Sequence, residues 1–327
     1  MTNSADKLDL YFGERALQEL RSLATVHVNP HDRELSTHEV ATLAQESDAI
    51  IAYRGTPGTS KLFAALPRLR AFVRCSTDIR TVDVEAASAH GILVTRTGAG
   101  FGPAVAEWVI GCSIALCREI PRYSAAYHAG ELPAPTMGRE LRGSIVGVVG
   151  YGLIGREVCR LASAFGARTI VADPHRRADE DGVVQVTFAD LLAQADIVVC
   201  LAAATAETEN LLDAKAFGAM KRGAFFINAA RGNLVDDIAL LAALDRGHVA
   251  GCAIDVGRDP DQLPTPALAR HPRVIATPHV GSLTRAATDF QALQAVRQVE
   301  CILAARVPEG AVNAPRASRC NFMDRVR

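Results

Sequence analysis

The chain has 327 residues, with 35 Lys plus Arg against 36 Asp plus Glu and a formal net charge of -1. Such a balance lacks the concentrated basic face of a nucleic-acid surface, and no apolar stretch reaches membrane-spanning length. With 49% apolar and only 5% aromatic residues, the composition suits aliphatic strands of a parallel sheet, and the length favours two domains.

The opening stretch has no apolar core of the kind a secretory leader needs, so the expected location is cytoplasmic. Short β-like runs follow at 25–29, 49–54, 71–74 and 92–95. Between them, Ser36 and Glu39 are spaced as a capping box. A helical stretch from Asp83 stops at Gly91, which tolerates a left-handed closing turn. Repeated β-α alternation implies parallel strands joined by right-handed crossovers, here a small flavodoxin-like sheet. An amphipathic helix over 103–119 should bridge to the next domain. The eight cysteines are scattered, with no CxxC pair, and read as reduced, buried thiols. No metal set is expected.

A strand over 144–149 then runs into Gly150-Tyr-Gly152-Leu-Ile-Gly155 and a helical segment. Alone, GxGxxG is a weak signal. Here it stands between strand and helix, and Asp173 ends the next strand about 20 residues past the last glycine. The glycines let backbone approach a pyrophosphate at the helix N-terminus. Asp173 accepts from both ribose hydroxyls and repels a 2′-phosphate, so NAD is favoured over NADP. Further strands are expected in ARTIVADP, ADIVVCLA, GAFFINAA, HVAGCAIDV and PRVIATPH. A last helix over 284–305 leaves this domain and the tail returns to the first. The domains expected are therefore 1–102 with 285–327, for substrate, and a doubly wound NAD-binding domain over 103–284. Both are Rossmann-like α/β units.

Three segments each follow a predicted strand: Asn228-Ala-Ala-Arg231-Gly232, Asp255-Val-Gly-Arg-Asp259-Pro-Asp261 and Thr277-Pro-His279-Val-Gly281. Ligands of open parallel sheets bind at the carboxyl ends of strands. Arg231 offers a planar fork for a carboxylate. His279, with an ordinary pKa of about 6.5, can give or take a proton near neutrality. A carboxylate behind it would favour its charged form. Together these groups suit the reduction of a 2-oxo acid.

With VGVVGYGLIGREV, DIVVCLAAATAETENLL, FFINAARGNLVDD, GCAIDV and VIATPHVGSLT in this order, and VAEW at the start of the bridging helix, the sequence resembles the D-isomer-specific 2-hydroxyacid dehydrogenase family over essentially its whole length. The resemblance implies an NAD-dependent oxidoreductase interconverting a small 2-hydroxy acid and its 2-oxo acid. It gives Arg231 the substrate-binding role and His279 that of proton donor. Leu153, Ile154, Asp173, Ala203, Thr208, Ala229, Asp255 and Gly281 match cofactor contacts, Asp255 bonding the nicotinamide amide. Arg54 matches a position facing the substrate's acid group. By the same resemblance the bridging helix, apolar nearly all round, builds a homodimer.

The family Glu after DV is missing. Aligning on the proline puts Asp259 in its place, whereas an ungapped alignment puts Pro260 there with Asp261 adjacent, and both aspartates stay open. The glycine-containing substrate loop is Cys75-Ser-Thr77-Asp78-Ile-Arg80 here, so Asp78 opposes an anion unless it turns outward or pairs with Arg80. Arg96 replaces a usual asparagine. Arg54, Arg80 and Arg96 together would suit an acidic or phosphorylated substrate. Two other readings use the same scaffold: a formate- or phosphite-type dehydrogenase, and a non-catalytic NAD(H)-sensing relative.

Overall fold

The computed structural model describes residues 1–259 and 262–322, which leaves Asp261 outside the described residues. Two compact units result, Met1–Phe101 with Thr284–Arg327, and Gly102–Leu283. Among the described residues no helix is long and apolar enough to cross a membrane.

The first unit is built on three parallel strands, β1 (Ala49–Ala52), β2 (Ala71–Arg74) and β3 (Leu93–Arg96), in that spatial order. Successive side chains of a strand point to opposite faces, and two cores follow. Ile51, Val73 and Leu93 pack with helices Gly13–Leu23 and Arg285–Leu303. Ile50, Ala52, Phe72 and Val94 pack with Leu62 and Phe63 of helix Ser60–Ala65 on the other side. Ser36 and Glu39 form the expected capping box, and Asp83 caps the helix Val84–Ala89 ahead of Gly91, whose φ is +68°. The tail runs beside β3: Arg96 N–H donates to Gly310 O and Val312 N–H to Val94 O, with an antiparallel bridge between Thr95 and Ala311.

The expected strand at 25–29 is absent, and those residues are irregular. The start of the chain intervenes. Thr2 N–H donates to Ile51 O, and Thr2 Oγ1 accepts from Tyr53 N–H. The 25–29 segment receives only isolated bonds from this strip, such as Asn29 N–H to Met1 O. Without a continuous ladder no strand forms.

The second unit holds seven parallel strands: β4 (Ile145–Val149), β5 (Arg168–Ala172), β6 (Val183–Gln185), β7 (Ile197–Cys200), β8 (Ala224–Asn228), β9 (Val249–Ile254) and β10 (Val274–Ala276). Their order is β10-β9-β8-β7-β4-β5-β6. The chain starts in the middle, winds outward to β6, then returns beside β4 with β7. That reversal is the switch point at which doubly wound sheets open a crevice. Again alternate residues serve two cores, Val198, Cys200 and Phe226 on one face and Val199, Phe225 and Ile227 on the other. The Phe217 and Phe226 rings meet edge-to-face at 5.3 Å, worth about 1 kcal/mol beyond their burial.

The helix expected over 103–119 is observed at Gly102–Cys117, and a second helix, Ile120–His128, follows. Glu119 breaks the run at φ 51°. Pro121 has no N–H to give an uninterrupted helix but is tolerated in a first turn.

Candidate active site

The end of β4 shows why glycine is required there. Gly150 sits at φ +100°, where a Cβ would lie 2.6 Å from Leu201 O; a Cβ on Gly155 would lie 2.3 Å from Gly150 O. Those two let the turn close on itself. Gly152 has nothing within 4 Å of its Cβ position, so its bare backbone faces open space just before the helix Leu153–Ala164. A pyrophosphate fits that arrangement, on peptide N–H groups at the positive helix end. Ile154 is half-buried and Leu153 exposed beside it.

Asp173 follows β5. Its carboxylate accepts from Tyr151 N–H at 2.7 Å, His175 N–H at 2.8 Å and Arg176 N–H at 3.0 Å. Burial opposes its ionisation, but the three backbone donors outweigh it and hold the carboxyl below the usual range. An ionised acid at this strand end fits an adenosine ribose with free hydroxyls. After β7, Thr208 Oγ1 donates to Ala203 O at 2.7 Å, folding that loop back on itself.

The loop after β8 is pinned at its base. Buried Asn228 accepts from Ala230 N–H and donates to Arg231 O, both at 3.0 Å. Ala229 and Arg231 are half-buried, and Arg231 Nη1 donates to Ala230 O at 2.7 Å.

His279 follows β10 in the left-handed region, at φ 57°. A non-glycine residue there costs on the order of 1–3 kcal/mol and persists only when its surroundings dictate it. Asp255, at the end of β9, supplies that constraint. Its Oδ1 accepts from Thr277 Oγ1 at 2.6 Å and Val280 N–H at 2.8 Å, and its Oδ2 from Gly281 N–H at 2.8 Å. Both oxygens are thereby committed to the loop that carries His279. Asp255 was expected as a nicotinamide contact; its hold on this loop could not be read from the sequence. Asp259 makes no hydrogen bond to His279 among the described residues, and its charge acts on Asp237, whose carboxyl is raised chiefly by burial.

In the first unit, Arg54 closes β1, stacked 5.7 Å over Tyr11, with Nε donating to Tyr53 Oη at 3.3 Å. Thr77 is half-buried and Arg96 exposed. Asp78 meets Arg80 through Nη2 at 2.7 Å and Nε at 3.1 Å, one of the two ways expected to relieve its clash with an anion. Sequence reasoning missed Arg74, fully buried at the end of β2. Its guanidinium donates to Tyr53 O, to Thr56 O at 2.7 Å and to Thr81 Oγ1 at 3.1 Å, clamping the turn after β1 to the end of the 75–80 loop. The only sequence signal was an arginine closing an otherwise apolar run.

The doubly wound sheet, glycine turn and acid after β5 define a dinucleotide-binding α/β protein. Residues 110–281 match the family model described as the D-isomer specific 2-hydroxyacid dehydrogenase, NAD binding domain. The chain therefore belongs to the D-isomer specific 2-hydroxyacid dehydrogenase family, and its cofactor is NAD. It is 34% identical over 279 residues to the D-3-phosphoglycerate dehydrogenase of Bacillus subtilis, covering 84% of this chain and 53% of that one. To the Sus scrofa D-3-phosphoglycerate dehydrogenase it is 34% identical over 284 residues, 86% and 53% of the two chains. The chain thus spans about half the length of these curated relatives. A solved glyoxylate reductase from Paecilomyes thermophila superposes with TM-score 0.81 at 28% identity, covering 94% of this chain and 96% of that one.

Proposed function

We infer that this chain catalyses hydride exchange between NAD(H) and a small 2-hydroxy/2-oxo acid pair. The observation that carries the reading is His279, braced in a strained backbone conformation by Asp255 on the sheet edge that also carries Arg231 and the glycine turn. Proteins hold such strain where a side chain must be aimed.

In reduction, Arg231 grips the substrate carboxylate through two parallel N–H bonds and fixes the carbonyl's orientation. His279 gives its proton to the carbonyl oxygen as that oxygen gains charge. NADH bound at the glycine turn and Asp173 would supply the hydride for the carbonyl carbon, and oxidation would reverse both transfers. Asp259 or Asp261 supports the imidazolium. Arg54, Thr77, Asp78 and Arg96 are kept as substrate contacts, but Arg80 is spent on Asp78. A phosphorylated substrate thereby loses one of the three cations it would use, and an unphosphorylated one is favoured.

The chain works as a homodimer in the cytoplasm. Exposed Ile120, Tyr127, Leu132 and Met137 support the first statement. Eight free thiols, as a reducing compartment keeps them, support the second.

Following NADH absorbance with glyoxylate, pyruvate, hydroxypyruvate and 3-phosphohydroxypyruvate tests the activity. Turnover is expected on at least one, better without the phosphate. NADH binding with no turnover on any of them would sink the enzyme reading in favour of a cofactor sensor. NAD reduction by formate or phosphite alone would move the activity to that class.

A further inference from the structure

We propose that Arg258 is the positioning residue for Arg231. The inference rests on the assignment of Arg231 to substrate binding. Arg258 lies in the loop after β9, and its guanidinium reaches both neighbouring loops. Nε donates to Val235 O at 3.0 Å, and Nη2 to Val235 O at 2.9 Å and Asn233 O at 3.2 Å. Nη2 also bonds Asn210 Oδ1, and Nη1 pairs with Glu209 at 2.8 Å. Glu209 closes the network by accepting from Asn233 Nδ2 at 2.8 Å. Three loops at the carboxyl ends of β7, β8 and β9 are thus tied by one side chain.

Where the ties fall matters more than their number. The segment carrying Arg231 is anchored at its start by buried Asn228. At its far end it passes Gly232, whose Cβ position would lie 2.0 Å from the Gly257 carbonyl carbon and 2.4 Å from Arg258 N. Backbone therefore lies against backbone at Gly232, and beyond it Leu234 and Val235 are buried while Leu212 bridges Val235. Arg258 adds hydrogen bonds to residues 233 and 235, which tie this end of the segment to the loop after β9. Asn210 adds to it: in the left-handed region at φ 53°, it donates its N–H to Asn233 O at 2.9 Å. Arg231 stands on a short arch held at both feet, and Arg258 is the tie that joins the second foot to the loops after β7 and β9.

A carboxylate held by Arg231 is held in both ground state and transition state, so loosening the arch acts first on KM. In Arg258→Ala, KM for the oxo acid is expected to rise about tenfold with kcat reduced less than about threefold, since small misplacements of a binding group are costly. NADH affinity should change less than this KM, because the glycine turn and Asp173 keep their ties although Arg258 borders the Thr208 and Ala229 loops. Guanidinium at low millimolar concentration should return KM toward the wild-type value and equal sodium chloride should not. A purely structural loss would lower the active fraction without moving KM or responding to guanidinium. Hydrogen exchange of amides 229–236 should quicken while that of β8 is unchanged.

A wild-type KM together with wild-type exchange in Arg258→Ala overturns the proposal. Should that variant not fold, Arg258→Lys keeps a charge beside Glu209 but not the fork to Val235 and Asn210. Its KM and loop exchange should fall between the two, and wild-type values for both overturn the proposal equally. If the wild-type chain turns over no oxo acid, the dehydrogenase reading fails by itself. The exchange of 229–236 then decides whether Arg258 holds the arch.

Discussion

Asp255 and His279 illustrate how one buried acid sets the conformation of a residue it does not touch by hydrogen bond. Asp255 accepts from Thr277 Oγ1, Val280 N–H and Gly281 N–H, so the carboxylate, rather than any isostere, is needed. Asp255→Asn turns one oxygen into an NH2 group facing a backbone or hydroxyl donor. Unpaired donors at a buried site cost about 1–3 kcal/mol, visible in urea unfolding, and kcat is expected to fall about tenfold or more as His279 loses its aim. Stability and kcat both at wild-type levels would refute the anchoring role. The aspartate behind the histidine is separable by pH. On the proposed role of His279 as proton donor, activity in reduction is expected to fall as pH rises through its pKa, which a nearby carboxylate would raise. Of Asp259→Asn and Asp261→Asn, the one that removes the supporting carboxylate should move the descending limb of kcat/KM to lower pH. An unchanged limb in both variants would exclude either aspartate. Arg231 and His279 stood out as candidates because each sits in a run whose order is itself informative. The bonds of Asp255, Arg74 and Arg258 were not, since they join residues distant in sequence through backbone carbonyls and N–H groups that leave no residue-type signature.

At the scale of elements, the turn after β4 and the end of β5 act as one device. Asp173 ties Tyr151 of the glycine turn to residues 175 and 176. Its carboxyl is held below the usual range, so its contribution to stability is full above the unfolded carboxylate pKa and lost only as pH falls through the lower folded value. Asp173→Asn keeps an acceptor but removes the charge. It should weaken NADH about tenfold, roughly 1.4 kcal/mol, admit NADPH, and remove this part of the acid dependence of unfolding. A retained preference for NADH over NADPH would show that selectivity lies elsewhere. Most strands were legible because each is a short aliphatic run buried on both faces. β6 escaped because it is three residues long and largely exposed, on the sheet edge. The 25–29 run misled because its β-like composition says nothing of whether a partner edge is free. There the partner edge of β1 is taken by Thr2.

For the molecule as a whole, the apolar excess of the 103–119 stretch has a source that the sequence could not separate from assembly. Residues Ala106, Val109, Ile110 and Leu116 share a core with Val158 of helix Leu153–Ala164 and with Ile227 of β8. A helix covered on several sides is apolar nearly all round for that reason alone. The groups left over lie further on. Ile120 and Tyr127 are 51% and 61% exposed, and Leu132 and Met137, beyond the second helix, reach 90% and 96%. Large apolar side chains this exposed and this near in sequence suit the contact surface of the homodimer proposed above. Since neither Leu132 nor Met137 contributes to the core of its own unit, replacing both by serine should change the stability of the chain by no more than about 0.5 kcal/mol. Light scattering behind size exclusion should give a dimer for the wild-type chain and a shift toward monomer for Leu132→Ser/Met137→Ser at equal concentration. A wild-type monomer, or a double variant as dimeric as the parent, would remove this segment from any role in assembly.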